Sequence, residues 1–315
     1  MQNIFTITKI SALLGLIILG FIVGIKSPAW QMNLNDFWTP FKYTTLSNIT
    51  SVTPLSKTAL LSAFGLAMIG PIFSSSAWNT ITYTAAEIKN PKRNIPLSLF
   101  LGTLFVSILY LSANLVYLML LPAKGIPNGV DTMAKGIAFA ANDRVGTAAA
   151  EMIFGQIGVA VMAIFIMIST FGCNNGLVLS GARVYYAMAK DGVFFPSAAE
   201  INPVSNTPNN ALWIQGIWAC LLVLSGTFDQ LTDMLIFAAF FFYGATAVGV
   251  FILRVREPNT ERPYKVWGYP FVPAIFIAFC VALIVITCFT HPREAGFGLV
   301  LMATGIPFYL YWNKK

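Results

Sequence analysis

Phe73, Ser74, Ser75, Ser76, Ala77, Trp78 and Asn79 follow Gly70-Pro71 inside an apolar stretch, residues 59–89, that is long enough to cross a bilayer. A membrane helix interrupted near its midpoint leaves backbone N–H and C=O groups unpaired in low dielectric. That is tolerated only where protein or a water-filled cavity satisfies them. The chemistry available at such a break is binding. The end of a first half-helix offers carbonyls to an ammonium and the start of a second offers N–H groups to a carboxylate, so a zwitterionic ligand suits it. The four small residues Ser74 to Ala77 permit close approach to the backbone, with Phe73 and Trp78 as aromatic flanks. A Ser-rich kink that serves helix packing alone is the competing reading, because Gly, Pro and Ser are common in membrane helices.

Few other side chains are candidates. Lys9 lies inside the apolar residues 4–25, where an ammonium is costly and a burial-lowered pKa would allow proton exchange. It also lies near enough to the N-terminus to snorkel to the interface. Glu87, beside Lys89, Lys92 and Arg93, reads either as part of an interfacial ion-pair cluster that latches a gate or as a solvated loop charge. Trp78 and Asn79 either border a cavity or serve as packing indole and helix cap. Asn174 and Asn175 suit interhelical hydrogen bonds as well as a ligand, and Tyr243, at the end of the aromatic run 240–243, reads as packing. Glu151 and Asp233 sit near span ends and need no functional role. The single histidine, His291, falls in a short turn, and no nucleophile–base pair, metal-ligand spacing or phosphate loop is visible. The reading is therefore of a protein that is not an enzyme, with no catalytic residue, metal or cofactor.

The elements that must position these residues follow from composition. Of 315 residues, 57% are hydrophobic and 10% charged, with a mean hydropathy of +0.73; soluble domains carry roughly 25% charged residues. The lipid bilayer is the expected solvent. The basic excess is spread over loops without an aromatic-interleaved stripe, so nucleic acid is not an expected partner. Cys173, Cys220, Cys280 and Cys288 all lie in apolar runs and read as small hydrophobes. Residues 4–25 lack a preceding basic residue and a small-residue cleavage site, which argues for a true span rather than a signal peptide.

With about 20 apolar residues per span, eight spans are expected, at residues 4–25, 59–89, 95–121, 148–189, 210–225, 231–253, 270–290 and 297–312. The fourth is too long for a bilayer and should project or bend near Gly181. Residues 26–58 and 122–147 are long loops, and within the second Met133, Ile137 and Phe139 have the spacing of an amphipathic helix over residues 131–144, a plain connector being the alternative. A cytoplasmic N-terminus puts Lys9, Lys89, Lys92, Arg93, Arg183, Lys190, Arg254, Arg256, Arg262, Lys265, Lys314 and Lys315 on the inner side, twelve of nineteen basic residues. Both termini inside is the better topology.

Four stretches carry a family resemblance. Glu87-Ile88-Lys89-Asn90-Pro91-Lys92-Arg93-Asn94-Ile95-Pro96, with Phe73 to Asn79 ahead of it, resembles the signature after the sixth helix of permeases in the amino acid-polyamine-organocation superfamily. Phe5-Thr6-Ile7-Thr8-Lys9 is similar to the start of the fifth helix. Ser169-Thr170-Phe171-Gly172-Cys173-Asn174-Asn175-Gly176, with Gly181-Ala182-Arg183 and residues 189–192, is similar to the eighth helix and its following loop. Arg262-Pro263-Tyr264-Lys265-Val266-Trp267-Gly268-Tyr269-Pro270 resembles the loop before the eleventh. The likeness is strongest to the L-type amino acid transporter-like branch.

The resemblance implies an all-α integral membrane protein that transports amino acids by alternating access as an exchanger or with proton coupling, in the plasma (inner) membrane. It implies that residues 1–315 form a single transmembrane domain matching the C-terminal two-thirds of a twelve-helix fold built from five-plus-five inverted repeats. Helices one to four would then be absent, and with them the broken first helix that completes the substrate site, so missing N-terminal helices or a second subunit are expected partners. A non-transporting membrane fragment or partner subunit is the alternative. The resemblance further implies that Phe73 closes over substrate, that Ser74, Ser75, Ser76 and Ala77 form the unwound backbone, and that Trp78 and Asn79 border the cavity. Relatives often carry Tyr and Gly where this chain has its serines. Lys9 corresponds to a lysine implicated in proton coupling in some members.

Overall fold

The computed structural model describes residues 2–46, 49–262 and 264–312 and is mostly helical. Pro263, Lys314 and Lys315, used in the motif and charge readings, lie outside the described residues. Among the described residues, six helices are long and apolar enough to cross a membrane: α1 (Gln2–Gly24), α5 (Pro91–Leu120), α8 (Gln156–Lys190), α10 (Phe228–Arg256), α11 (Phe271–Thr290) and α12 (Pro292–Trp312). The other two expected spans form the shorter helices α3 (Lys57–Ser74) and α9 (Asn209–Ser225). The short helices α2 (Pro28–Asn35), α4 (Thr80–Tyr83), α6 (Thr132–Lys135) and α7 (Val145–Phe154) complete the set. The chain divides into two compact units.

One unit holds the residues up to Leu55 and Phe100–Leu177. Its core joins Ile17 of α1 to Leu109, Val116 and Leu120 of α5 and Ala148 and Ala149 of α7. Gly20 allows the close approach of α1 to α5, since a Cβ there would overlap the buried Val116 side chain. The described residues of the expected loop 26–58 include a helix and two strands. Ser27 caps α2, and Asn33 gives its amide N–H to the Leu118 and Leu121 carbonyls at 2.7 and 2.9 Å while accepting from Ala123 N at 2.7 Å, closing the end of α5. An antiparallel hairpin comes next, β1 (Phe41–Leu46) on β2 (Ile49–Pro54) with Phe41 opposite Pro54. It departs from the all-α expectation and is pinned where Tyr43 Oη accepts from Gly125 N at 2.8 Å.

Two expectations for this unit need correction. Residues 131–144 do not form one amphipathic helix: two separate single turns appear, α6 and a 3-10 turn at Ala141–Asp143. Gly136, at φ 59°, ends α6, and Ile137 N then donates to Pro122 O at 2.8 Å, folding the segment back on the loop after α5. Phe139 accordingly packs on Tyr43, with ring centroids 4.6 Å apart. The long stretch 148–189 is interrupted at Gly155, φ 64°, between α7 and α8, and not near Gly181. Gly181 lies inside α8, facing Gln215. At 35 residues, α8 measures about 50 Å at 1.5 Å per residue, well beyond the ~30 Å hydrocarbon core.

The other unit holds Ser56–Leu99 and Val178–Lys315. Ile236 and Phe240 of α10 pack with Cys280 and Leu283 of α11, and Ile69, Ile72 and Phe73 of α3 lie against them. Gly65 admits Ile286, whose side chain would stand 2.7 Å from a Cβ. A small-residue cluster, Ala182, Ala189, Ala198 and Ala211, seats the end of α8 against α9. Helix α10 starts on a capping box between Thr227 and Gln230.

Candidate functional site

Gly70-Pro71 does not interrupt the helix, correcting the first part of the expected break. α3 runs through Pro71 to Ser74, and the interruption spans Ser75 to Asn79. The proline's missing N–H costs one hydrogen bond, and its carbonyl collects three donors: Ser74 Oγ at 2.9 Å, Ser75 Oγ at 2.8 Å and Ser75 N at 3.1 Å. The serines thus satisfy the end of their own helix. Ala77 reverses the chain with φ 67°, a left-handed conformation unusual for a residue with a Cβ. Beyond it α4 makes only a single turn, so the second half of the broken helix is far shorter than the first and its dipole correspondingly weak.

Aromatic residues surround the interruption. Phe73 meets Phe228 edge-on with centroids 5.8 Å apart. Trp78, 44% exposed, lies 5.7 Å from Tyr243. Asn79 is not the side-chain cap of α4. It donates Nδ2–H to Tyr83 Oη at 2.9 Å and accepts from Tyr243 Oη at 3.2 Å. Tyr243 therefore joins the candidate site as well as packing on Phe240, and its position at the end of an aromatic run disguised that in the sequence.

Glu87 pairs with Arg183 of α8, Nε and one terminal guanidinium nitrogen each 2.7 Å from Oε1. Its expected cluster with Lys89, Lys92 and Arg93 is not what forms, since Lys92 reaches Glu261 at 3.5 Å. Arg262, next in sequence, donates to Leu253 O at 3.2 Å and Glu257 O at 2.6 Å and so caps α10. Arg254 lies 3.7 Å over the Tyr269 ring. Within this unit the stretch from Glu87 to Pro96 is thus tied to Arg183 and to Glu261, the residue before the stretch that starts at Arg262.

In the other unit Lys9 Nζ lies 3.5 Å from Cys173 Sγ, and Phe5 packs on Phe171 at 5.5 Å, with Gly172 giving it room. The fifth-helix and eighth-helix stretches meet there. Asn174 and Asn175 lie on exposed positions of α8. Among the described residues, no group of three or more metal-ligating side chains converges.

Residues 1–308 match the family model for amino acid permeases. The chain is 31% identical over 254 residues to the serine/threonine exchanger SteT of Bacillus subtilis (strain 168), covering 80% of this chain and 55% of that protein. It is 27% identical over 321 residues to the large neutral amino acids transporter small subunit 2 of Homo sapiens, covering 100% of this chain and 54% of the other. It is 28% identical over 254 residues to the Homo sapiens cystine/glutamate transporter, covering 79% and 47%. The chain spans about half the length of the curated relatives it matches. With the family model running over nearly all of it and six helices apolar enough to cross a bilayer, this integral membrane protein belongs to the amino acid permease family.

Proposed function

We propose that this chain supplies one side of the substrate site of an amino acid permease that works by alternating access. The observation that carries the reading is the interruption of α3 at Ser75 to Asn79, bordered by Phe73, Trp78 and Tyr243. Unwound backbone beside aromatic rings suits a zwitterionic amino acid, whose charged groups take main-chain partners while the rings cover its side chain. The relatives' names support the substrate class, and that of SteT supports exchange. In this reading the eight expected spans correspond to helices five to twelve of an inverted-repeat fold, Phe73 closes over the substrate, and Lys9 and Glu87 serve coupling and gating. The opposite wall comes from helices outside the described chain, on the same polypeptide or a second one. The protein sits in the plasma membrane with both ends of this segment cytoplasmic.

Uptake of labelled L-threonine and L-leucine into liposomes tests it, using this chain alone and together with helices one to four of a relative. Uptake that needs the added helices, is stimulated by internal amino acid and falls in Phe73→Ala supports the reading. Absence of uptake in both preparations favours a non-transporting partner chain.

A further inference from the structure

Residues 130–159 enclose an open cavity of about 740 Å³ that has no part in the interrupted helix. Its wall carries charges of both signs that do not neutralise one another. Glu151 on α7 accepts from Thr132 Oγ1 at 2.7 Å and from Gln156 Nε2 at 2.8 Å, so neutral donors orient both carboxylate oxygens. Arg144 also lines the cavity, seven residues earlier and therefore close to the same face of α7, about 10 Å along the axis. Lys135 lines it as well. Among the described residues none of Glu151, Arg144 and Lys135 forms an ion pair. The loop beside Arg144 is held in a costly form, with Asn142 and Asp143 both left-handed at φ 52° and 58°. Met133, Met152 and Val159 add an adaptable apolar part to the wall.

We propose that this cavity is a second binding site, for a zwitterionic α-amino acid, in which Glu151 takes the ammonium and Arg144, with Lys135, takes the carboxylate. A simple cation would meet the repulsion of Arg144 and Lys135. A simple anion would meet that of Glu151 and Asp131. A ligand carrying both charges is attracted at both ends, and the methionines accept its side chain. The choice of ligand rests on the permease reading, but the site lies wholly within one unit of the chain and needs no further helix.

Equilibrium binding of labelled L-threonine to the full chain in lipid nanodiscs tests the proposal. Saturable binding is expected, weakened about tenfold or more in Glu151→Gln and in Arg144→Gln, as loss of a charged hydrogen-bond partner implies, and retained in Phe73→Ala. On the wild-type chain, unlabelled L-threonine should displace the label, whereas ethanolamine and propionate, each with one of the two charges, should not. Absence of saturable binding, indifference to both charge-removing variants, or displacement by propionate or ethanolamine alone overturns the proposal. Complete loss in Phe73→Ala overturns it too, while leaving the permease reading intact. Failure of uptake with Glu151-dependent binding preserved would instead sink the permease reading.

Discussion

The Tyr243 hydroxyl donates to Asn79 Oδ1 at 3.2 Å, joining α10 to the residue where the interruption of α3 ends. Because Asn79 also donates to Tyr83, two tyrosines fix the direction of one amide at the candidate site. Tyr243→Phe removes the hydroxyl and keeps the ring contacts with Trp78 and Phe240. In a transport-competent assembly the apparent affinity is expected to fall about fivefold, equivalent to ~1 kcal/mol for one hydrogen bond. The melting temperature should change little. Measured KM and thermal unfolding separate the two effects.

Ala77 tests the backbone of the interruption. At φ 67° a methyl group is tolerated at a cost, and a β-branched side chain is tolerated poorly. Ala77→Val is expected to lower stability by about 1–2 kcal/mol, whereas Ala77→Gly should hold or raise it. Thermal unfolding in one detergent gives the ranking, and a reversed order would show that the turn does not persist.

The Glu87–Arg183 pair is half exposed, with 61% of the Glu87 side chain and 22% of the Arg183 side chain accessible. Its strength is therefore modest, about 0.5–1 kcal/mol after solvent screening. Arg183→Glu should destabilise more than Arg183→Gln, and adding Glu87→Arg should recover part of the loss. A double-mutant cycle on thermal stability measures the coupling. A coupling energy of zero would remove the pair as a latch.

Asp36 provides a pH test outside the spans. A hydrogen bond from Lys124, then one from Thr39, holds its carboxyl below the usual 3.8. A depressed folded-state value means the contribution is complete above the unfolded value of about 3.9 and disappears as pH falls through the folded value. The effect is small because the pair faces solvent. A slight stability advantage of the native chain over Asp36→Asn should be present at about pH 6 and shrink as pH falls below the unfolded value, as read by parallel melting curves. A gap that is constant with pH would exclude the pair as its cause.

The sequence by itself determined that the chain lives in a bilayer, roughly where its apolar helices run, and which family it resembles. Those properties are local: a run of some 20 apolar residues is costly in water wherever it lies, and signature stretches are contiguous. The region of the interruption was legible for the same reason, through the clustering of Gly, Pro and Ser. Its position was not, because a proline inside a membrane helix need not end it, and here α3 runs through Pro71 and ends where the Ser74 and Ser75 hydroxyls bond the Pro71 carbonyl. The strands β1 and β2 carried a signal in their Tyr, Thr, Ile and Val, but their anchor is Tyr43 on Gly125, 82 residues away. Only the tertiary structure decided that Glu87 pairs with Arg183 rather than with its neighbours, that Tyr243 reaches Asn79, and that Lys9 meets Cys173. Each of these links spans roughly a hundred residues or more, and no local propensity encodes it, because helix packing alone brings the partners within hydrogen-bonding distance.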